Sequence, residues 1–151
     1  MLKPAKSDSS ELTLREGRES YFRANGFSEK GYSEKWVPLS AGPFRFGFPN
    51  TKARVSAVKR HDLHHVLTGY EATWVGEAEI AAWELASGCG RFYAAWILNV
   101  AAATIGLVIS PRMLVKAWRK GRQEENLYSR EWSDAWLDQK VSDVRRELRI
   151  K

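Results

Sequence analysis

The sequence holds one cysteine, Cys89, among 151 residues. A lone thiol excludes an internal disulfide framework and any multi-cysteine zinc site, and it is the usage of a reducing compartment. A bound metal must therefore sit on histidine and carboxylate side chains. Residues 1–9 lack the apolar stretch of a secretory signal and the arginine-rich amphipathic pattern of an import signal. They read as a flexible N-terminus, and the expected location is cytoplasmic. No repeat, low-complexity tract or long linker is visible. Charge of one sign is also scarce: 24 Lys and Arg against 18 Asp and Glu leave a net +6, and the basic residues are dispersed apart from the run 112–122. That dispersal argues against a nucleic-acid partner.

What the chain does hold is enough apolar material for a core: 44% of its residues are hydrophobic and 12% of the chain is aromatic. A chain of this length buries about two-thirds of its unfolded surface on folding. The pattern predicts an all-α, single-domain bundle of about six helices over residues 10–151. A first helix is expected over 11–24 with Ser10 as N-cap and Gly26 as stop. A second runs from Asn50 as N-cap to Gly69, and a third from Thr73 to Ser87. Between the first two, residues 27–50 mix Gly and Pro with Trp36, Phe44, Phe46 and Phe48 and read as an irregular aromatic arm covering the core or forming a binding loop. Residues 92–109 are uncharged. Ser110-Pro111 then opens a short basic helix stopped at Gly121, and a final helix is expected over 130–149.

The chemistry concentrates in His61-Asp62-Leu63-His64-His65 and in Glu77 beyond it. On a helix, Val55, Val58, Asp62, His65 and Val66 share an arc of roughly 100°, with His61 at its edge. Burying an unpaired carboxylate on an apolar stripe is costly, and a divalent cation would compensate it. Histidines at i and i+4 project one above the other, so His61, Asp62 and His65 form a ligand set from one helix. The corner at Gly69 is short enough to return Glu77 to the same place. The competing reading is a buried His-Asp hydrogen-bond network. Glu84 lies on the same face of the third helix as Glu77, whereas His64 points away and reads as a surface or helix-packing histidine.

The spacing H-D-x2-H-x11-E, with Gly69, Gly76-Glu77 and Trp83-Glu84, resembles the Coq4 family of coenzyme Q (ubiquinone) biosynthesis. The likeness continues through residues 118–121, Asn126-Leu127-Tyr128, Trp132 and 145–150, and more weakly at 14–22, while the arm at 27–50 departs from it. The resemblance implies an all-helical protein, peripheral on the inner face of a membrane, with His61, Asp62, His65 and Glu77 as zinc ligands. It also implies a lyase that removes the C1 carboxylate of a polyprenylated hydroxybenzoate, with coupled hydroxylation, among other quinone-biosynthesis enzymes. In that setting Glu84 is the candidate catalytic carboxylate, relaying a proton beside a Lewis-acidic metal. The alternative is a non-catalytic lipid-binding organiser whose metal is structural; four protein ligands closing a tetrahedral shell would favour it.

The uncharged stretch 92–109 admits three readings. Its small residues Ala101, Ala102, Ala103 and Gly106, beside Tyr93 and Trp96, leave room for a prenyl chain; it is a plain core helix; or it is a single membrane span flanked by the basic residues Arg112, Lys116, Arg119 and Lys120.

Overall fold

A computed structural model describes residues 11–41 and 44–151; the expected flexible N-terminus and the Ser10 cap lie outside the described residues. Six helices account for most of the chain: α1 (Leu14–Asn25), α2 (Lys52–Thr68), α3 (Trp74–Ser87), α4 (Tyr93–Ile109), α5 (Pro111–Gly121) and α6 (Val141–Glu147). The all-helical bundle is as expected, and it is organised by local chemistry. Thr13 caps α1 through a reciprocal box, its Oγ1 accepting from the Glu16 N–H and its own N–H donating to the Glu16 carboxylate. Thr51, one residue beyond the expected Asn50, caps α2, and Thr73 caps α3. Gly69 ends α2 at φ 75°, a conformation that the lack of a Cβ makes cheap, and its N–H closes on the His65 carbonyl.

The arm is more regular than its composition suggests. A 3₁₀ turn (Glu29–Tyr32) leads into an antiparallel hairpin of β1 (Trp36–Ala41) and β2 (Phe44–Pro49), registered from Trp36 opposite Pro49 to Ala41 opposite Phe44. Pro38 and Pro49 are compatible with it because each strand of a two-stranded ribbon has an open edge, where a missing N–H costs nothing. Trp36 is 62% exposed and does not cover the core. The side chains of residues 37–48, on which the same expectation for Phe44, Phe46 and Phe48 falls, lie outside the described residues. Asn50 anchors the arm to α2, donating to the Gly31 and Glu34 carbonyls and accepting from Arg54.

The continuous helix expected over 130–149 is replaced by 3₁₀ turns at Leu127–Ser129 and Asp134–Asp138 and by the short α6. The break has a backbone cause. Leu14 N–H donates to Gln139 O and Val141 N–H to Leu12 O, so residues 139–141 are extended to pair with the start of α1. The buried guanidinium of Arg60 holds the preceding turn, donating to the carbonyls of Leu127 and Arg130 between the rings of Phe92 and Trp132.

The main core gathers Leu14, Leu63, Leu67, Trp83, Leu127, Val141 and Leu148, with α3 packed most extensively against α4 and α5. Gly106, expected to leave room for a ligand, instead permits helix contact: a Cβ there would lie 2.6 Å from Ala78 Cβ and 2.7 Å from Leu114 Cδ1. Among the described residues no helix is long and apolar enough to cross a membrane, which removes the single span at 92–109. The physical reason is length and anchorage. The 17 residues of α4 reach about 26 Å against a hydrocarbon core of about 30 Å, and Asn99 is buried against the bundle.

Candidate metal centre

His61 and His65 stand one turn apart on α2, and the first turn of α3 brings Glu77 to them. One ligand atom from each lies within 4.8 Å of the others. The two imidazole Nε2 atoms are 3.1 Å apart, and each is 3.4 Å from a Glu77 oxygen. Ligand atoms bound tetrahedrally at about 2.0–2.1 Å are about 3.3 Å from one another, so these separations suit one small divalent ion.

The outer hydrogen bonds fix which way the imidazoles face. His61 Nδ1 meets the Glu84 carboxylate at 2.9 Å, and His65 Nδ1 meets the Tyr70 carbonyl at 2.8 Å. Both partners only accept, so each Nδ1 carries a hydrogen and each ring turns its Nε2 inward, towards Glu77. Two Nε2 atoms 3.1 Å apart need a proton or a metal ion between them. A carboxylate or carbonyl behind each histidine is also how metal-binding imidazoles are oriented. Tyr21 of α1 stacks on the His65 ring, centroids 4.9 Å apart, and closes that side.

Glu84 is wholly buried, yet all its acceptor capacity is used. One oxygen accepts from His61 and His64 Nδ1, the other from Asn99 Nδ2 and the Tyr128 hydroxyl. Burial pushes this carboxyl up, but the His61 charge and the hydrogen bonds from His61 and His64 win, and it is held well below the ordinary carboxylate range. Glu77 behaves similarly: burial raises it, and His61 and His65 bring it down to about 2. Burial disfavours a charge on His61, but Glu84 and Glu77 more than reverse that and hold its pKa well above the ordinary value. His64 is a helix-packing residue and fully buried. Its Nδ1 donates to Glu84 and its Nε2 accepts the Leu127 N–H; burial, the largest influence, lowers its pKa and keeps the ring neutral.

The expected ligand set is thus only partly assembled. His61, His65 and Glu77 converge, but Asp62 does not join them: its carboxylate accepts from the Tyr32 hydroxyl of the arm. Burial raises the Asp62 carboxyl, with the Tyr32 hydrogen bond opposing. Sequence reasoning missed Tyr32, because a hydroxyl delivered by a loop 30 residues upstream leaves no periodic signal. It also missed Asn99 and Tyr128, whose signal was available: a single amide in an uncharged helix, and a tyrosine next to Leu127 in a buried turn.

A cavity of about 570 Å³ opens over the centre. His61, Asp62 and Glu77 line one part of it, and Phe22, Phe27, Val58, Ala95, Leu98 and Ala102 supply apolar wall. Of the residues expected to flank a prenyl chain, Ala102 lines the cavity, whereas Tyr93 and Trp96 face outward. Glu84 is not among the lining residues. Known protein families, compared as family models, and curated proteins yield no match to this chain.

Proposed function

We propose that this protein binds a divalent metal, zinc in keeping with the resemblance, and uses it on an apolar aromatic acid in the manner of the quinone-biosynthesis lyases, removing the C1 carboxylate of a prenylated hydroxybenzoate. The observation that carries the reading is the convergence of two inward Nε2 atoms with the Glu77 carboxylate beside an apolar cavity. Three converging protein ligands leave a coordination position, which favours a catalytic role over the closed shell of an organiser with a structural metal. Bound there, a divalent ion supplies Lewis acidity to a substrate carboxylate or ring oxygen.

The remaining steps belong to the chain. Phe22, Phe27, Ala95 and Leu98 hold the apolar body of the substrate and exclude water. Asp62 and Tyr32 line the same cavity and share a hydrogen bond, so a proton held between them is available to the ring carbon that loses carboxylate. Glu84 acts as a positioning residue behind His61, not as the proton relay expected from its place on α3.

Elemental analysis of the purified protein beside His65→Ala and Glu77→Ala tests the reading. One equivalent of metal in the wild type, lost in both variants with the helices intact, supports it and justifies decarboxylation assays with prenylated hydroxybenzoates. Metal content that is unchanged in the variants, or nil in every sample after metal-supplemented expression, rejects it.

A further inference from the structure

Asn99 is the one amide of α4, and it is 5% exposed. Burying an amide is costly unless both of its ends are used. The nitrogen end is used: Nδ2 donates to Glu84 Oε2 and approaches Cys89 Sγ at 3.5 Å. Because the carboxylate only accepts, this contact fixes which end is which and turns Oδ1 away from Glu84. Oδ1 accepts no hydrogen bond from any described residue, yet it is not sealed in the core. Asn99 lines the cavity, and it is there that the oxygen opens.

The neighbours explain the opening. Ala95 and Ala102 lie one turn to either side of Asn99 on the same face of α4, and both line the cavity. Neither side chain is long enough to cover the amide. Glu84 links this amide to the metal centre, since its other oxygen accepts from His61 Nδ1. One buried carboxylate therefore holds both the imidazole and the acceptor, and it fixes their separation.

We infer that Asn99 is a specificity-determining residue: its Oδ1 accepts a hydrogen bond from a hydroxyl group of the ligand in the cavity, so that the protein selects hydroxylated aromatic acids over analogues without the hydroxyl. A site that keeps a buried acceptor for a ligand hydroxyl rejects the analogue lacking it, because the acceptor then loses water and gains no partner. That the donor is a hydroxyl on an aromatic acid rests on the proposed function; the demand for a donor at this point of the cavity does not.

Isothermal titration of the purified protein with 4-hydroxy-3-prenylbenzoate and with 3-prenylbenzoate, which lacks the hydroxyl, tests the inference. The wild type is expected to bind the hydroxylated compound about tenfold or more tightly than the other, and Asn99→Ala to bring the two affinities together. A merely structural role for Asn99 would weaken both compounds alike and leave their ratio unchanged. Should Asn99→Ala fold poorly, Asn99→Ser, which keeps a donor on the Glu84 side, takes its place with the same expectation. Tyr128→Phe also removes a hydrogen bond from Glu84 and is expected to keep the ratio. Equal affinities in the wild type, a ratio retained in the Asn99 variants, or a ratio lost in Tyr128→Phe overturns the inference. Binding of neither compound rejects the aromatic-acid reading together with it. Metal content is measured in the same samples: selection for the hydroxyl by protein that holds no metal defeats the metal reading alone, and equal affinities in metal-bearing protein defeat this inference alone.

Discussion

Glu84, with no solvent exposure, meets His61 Nδ1 at 2.9 Å, and this contact ties the buried interior of the bundle to the edge of the cavity. Each side of the contact constrains the other. The carboxylate tolerates burial because four hydrogen bonds reach it, and the imidazole aims Nε2 at Glu77 because its Nδ1 is held.

Glu84→Gln is therefore predicted to fail on both sides. The amide nitrogen faces donors it cannot accept from, whichever way it turns. A loss of about 3 kcal/mol in urea unfolding is expected, with zinc affinity down ~10–100-fold. Tyr128→Phe removes one of the four hydrogen bonds and should cost about 1 kcal/mol while zinc affinity changes little. Zinc titration of the two variants separates positioning from simple stability; undiminished affinity in Glu84→Gln counts against the positioning role.

Gly106→Ala tests the helix contact. The added methyl meets the rigid Cβ of Ala78, so α4 must move off α3. Overpacking of this kind costs about 1–3 kcal/mol. The midpoint of chemical unfolding reports it, and an unchanged midpoint would show that α4 yields freely.

Arg60→Met keeps much of the side chain's apolar length but removes the guanidinium hydrogen bonds to the two carbonyls of the 127–130 turn, leaving Leu127 O only the Arg130 N–H. Destabilisation of about 1–2 kcal/mol is expected from the lost hydrogen bonds. Hydrogen exchange should quicken first at residues 127–138, the segment that Arg60 holds, and uniform acceleration would argue against this local role.

Cys89 supplies the pH dependence. Burial, only partly offset by the Asn99 amide, pushes its thiol up to about 11 from an ordinary 9.0. The unfolded chain thus loses this proton first, and stability falls as pH rises from about 9 towards 11, the thiol being neutral in both states below that window. In mildly alkaline buffer the native protein should react with iodoacetamide at least ~100-fold more slowly than the urea-unfolded protein. Comparable rates would mean that the thiol is accessible in the folded state.

The legible parts of the fold were those punctuated by side chains. Thr73, Gly69 and Ser110-Pro111 mark ends that the structure places within a residue of expectation. His61 and His65 were legible from their i, i+4 spacing on one helix, and Glu77 from the short corner at Gly69 that returns the next helix to them. Asp62 was misread for a reason internal to that logic: azimuth brings it near the site, but the arm supplies a nearer partner in Tyr32. His64 went wrong at the surface alternative because the C-terminal half of α2 is enclosed on several sides, so pointing away from the apolar stripe did not mean facing water. The break near residue 140 was invisible because its cause is backbone pairing with residues 12–14, which no side-chain pattern records.

The pairing of Leu12 and Leu14 with Gln139 and Val141 also sets an order of assembly. During synthesis α1 emerges before the other helices, but the strand that locks its start is made after all but the last of them. Tyr21, which walls off His65, rides on α1. The wall of the metal centre therefore closes late, and the nascent chain presents His61, His65 and Glu77 to the surrounding solution before Tyr21 is locked in place over them.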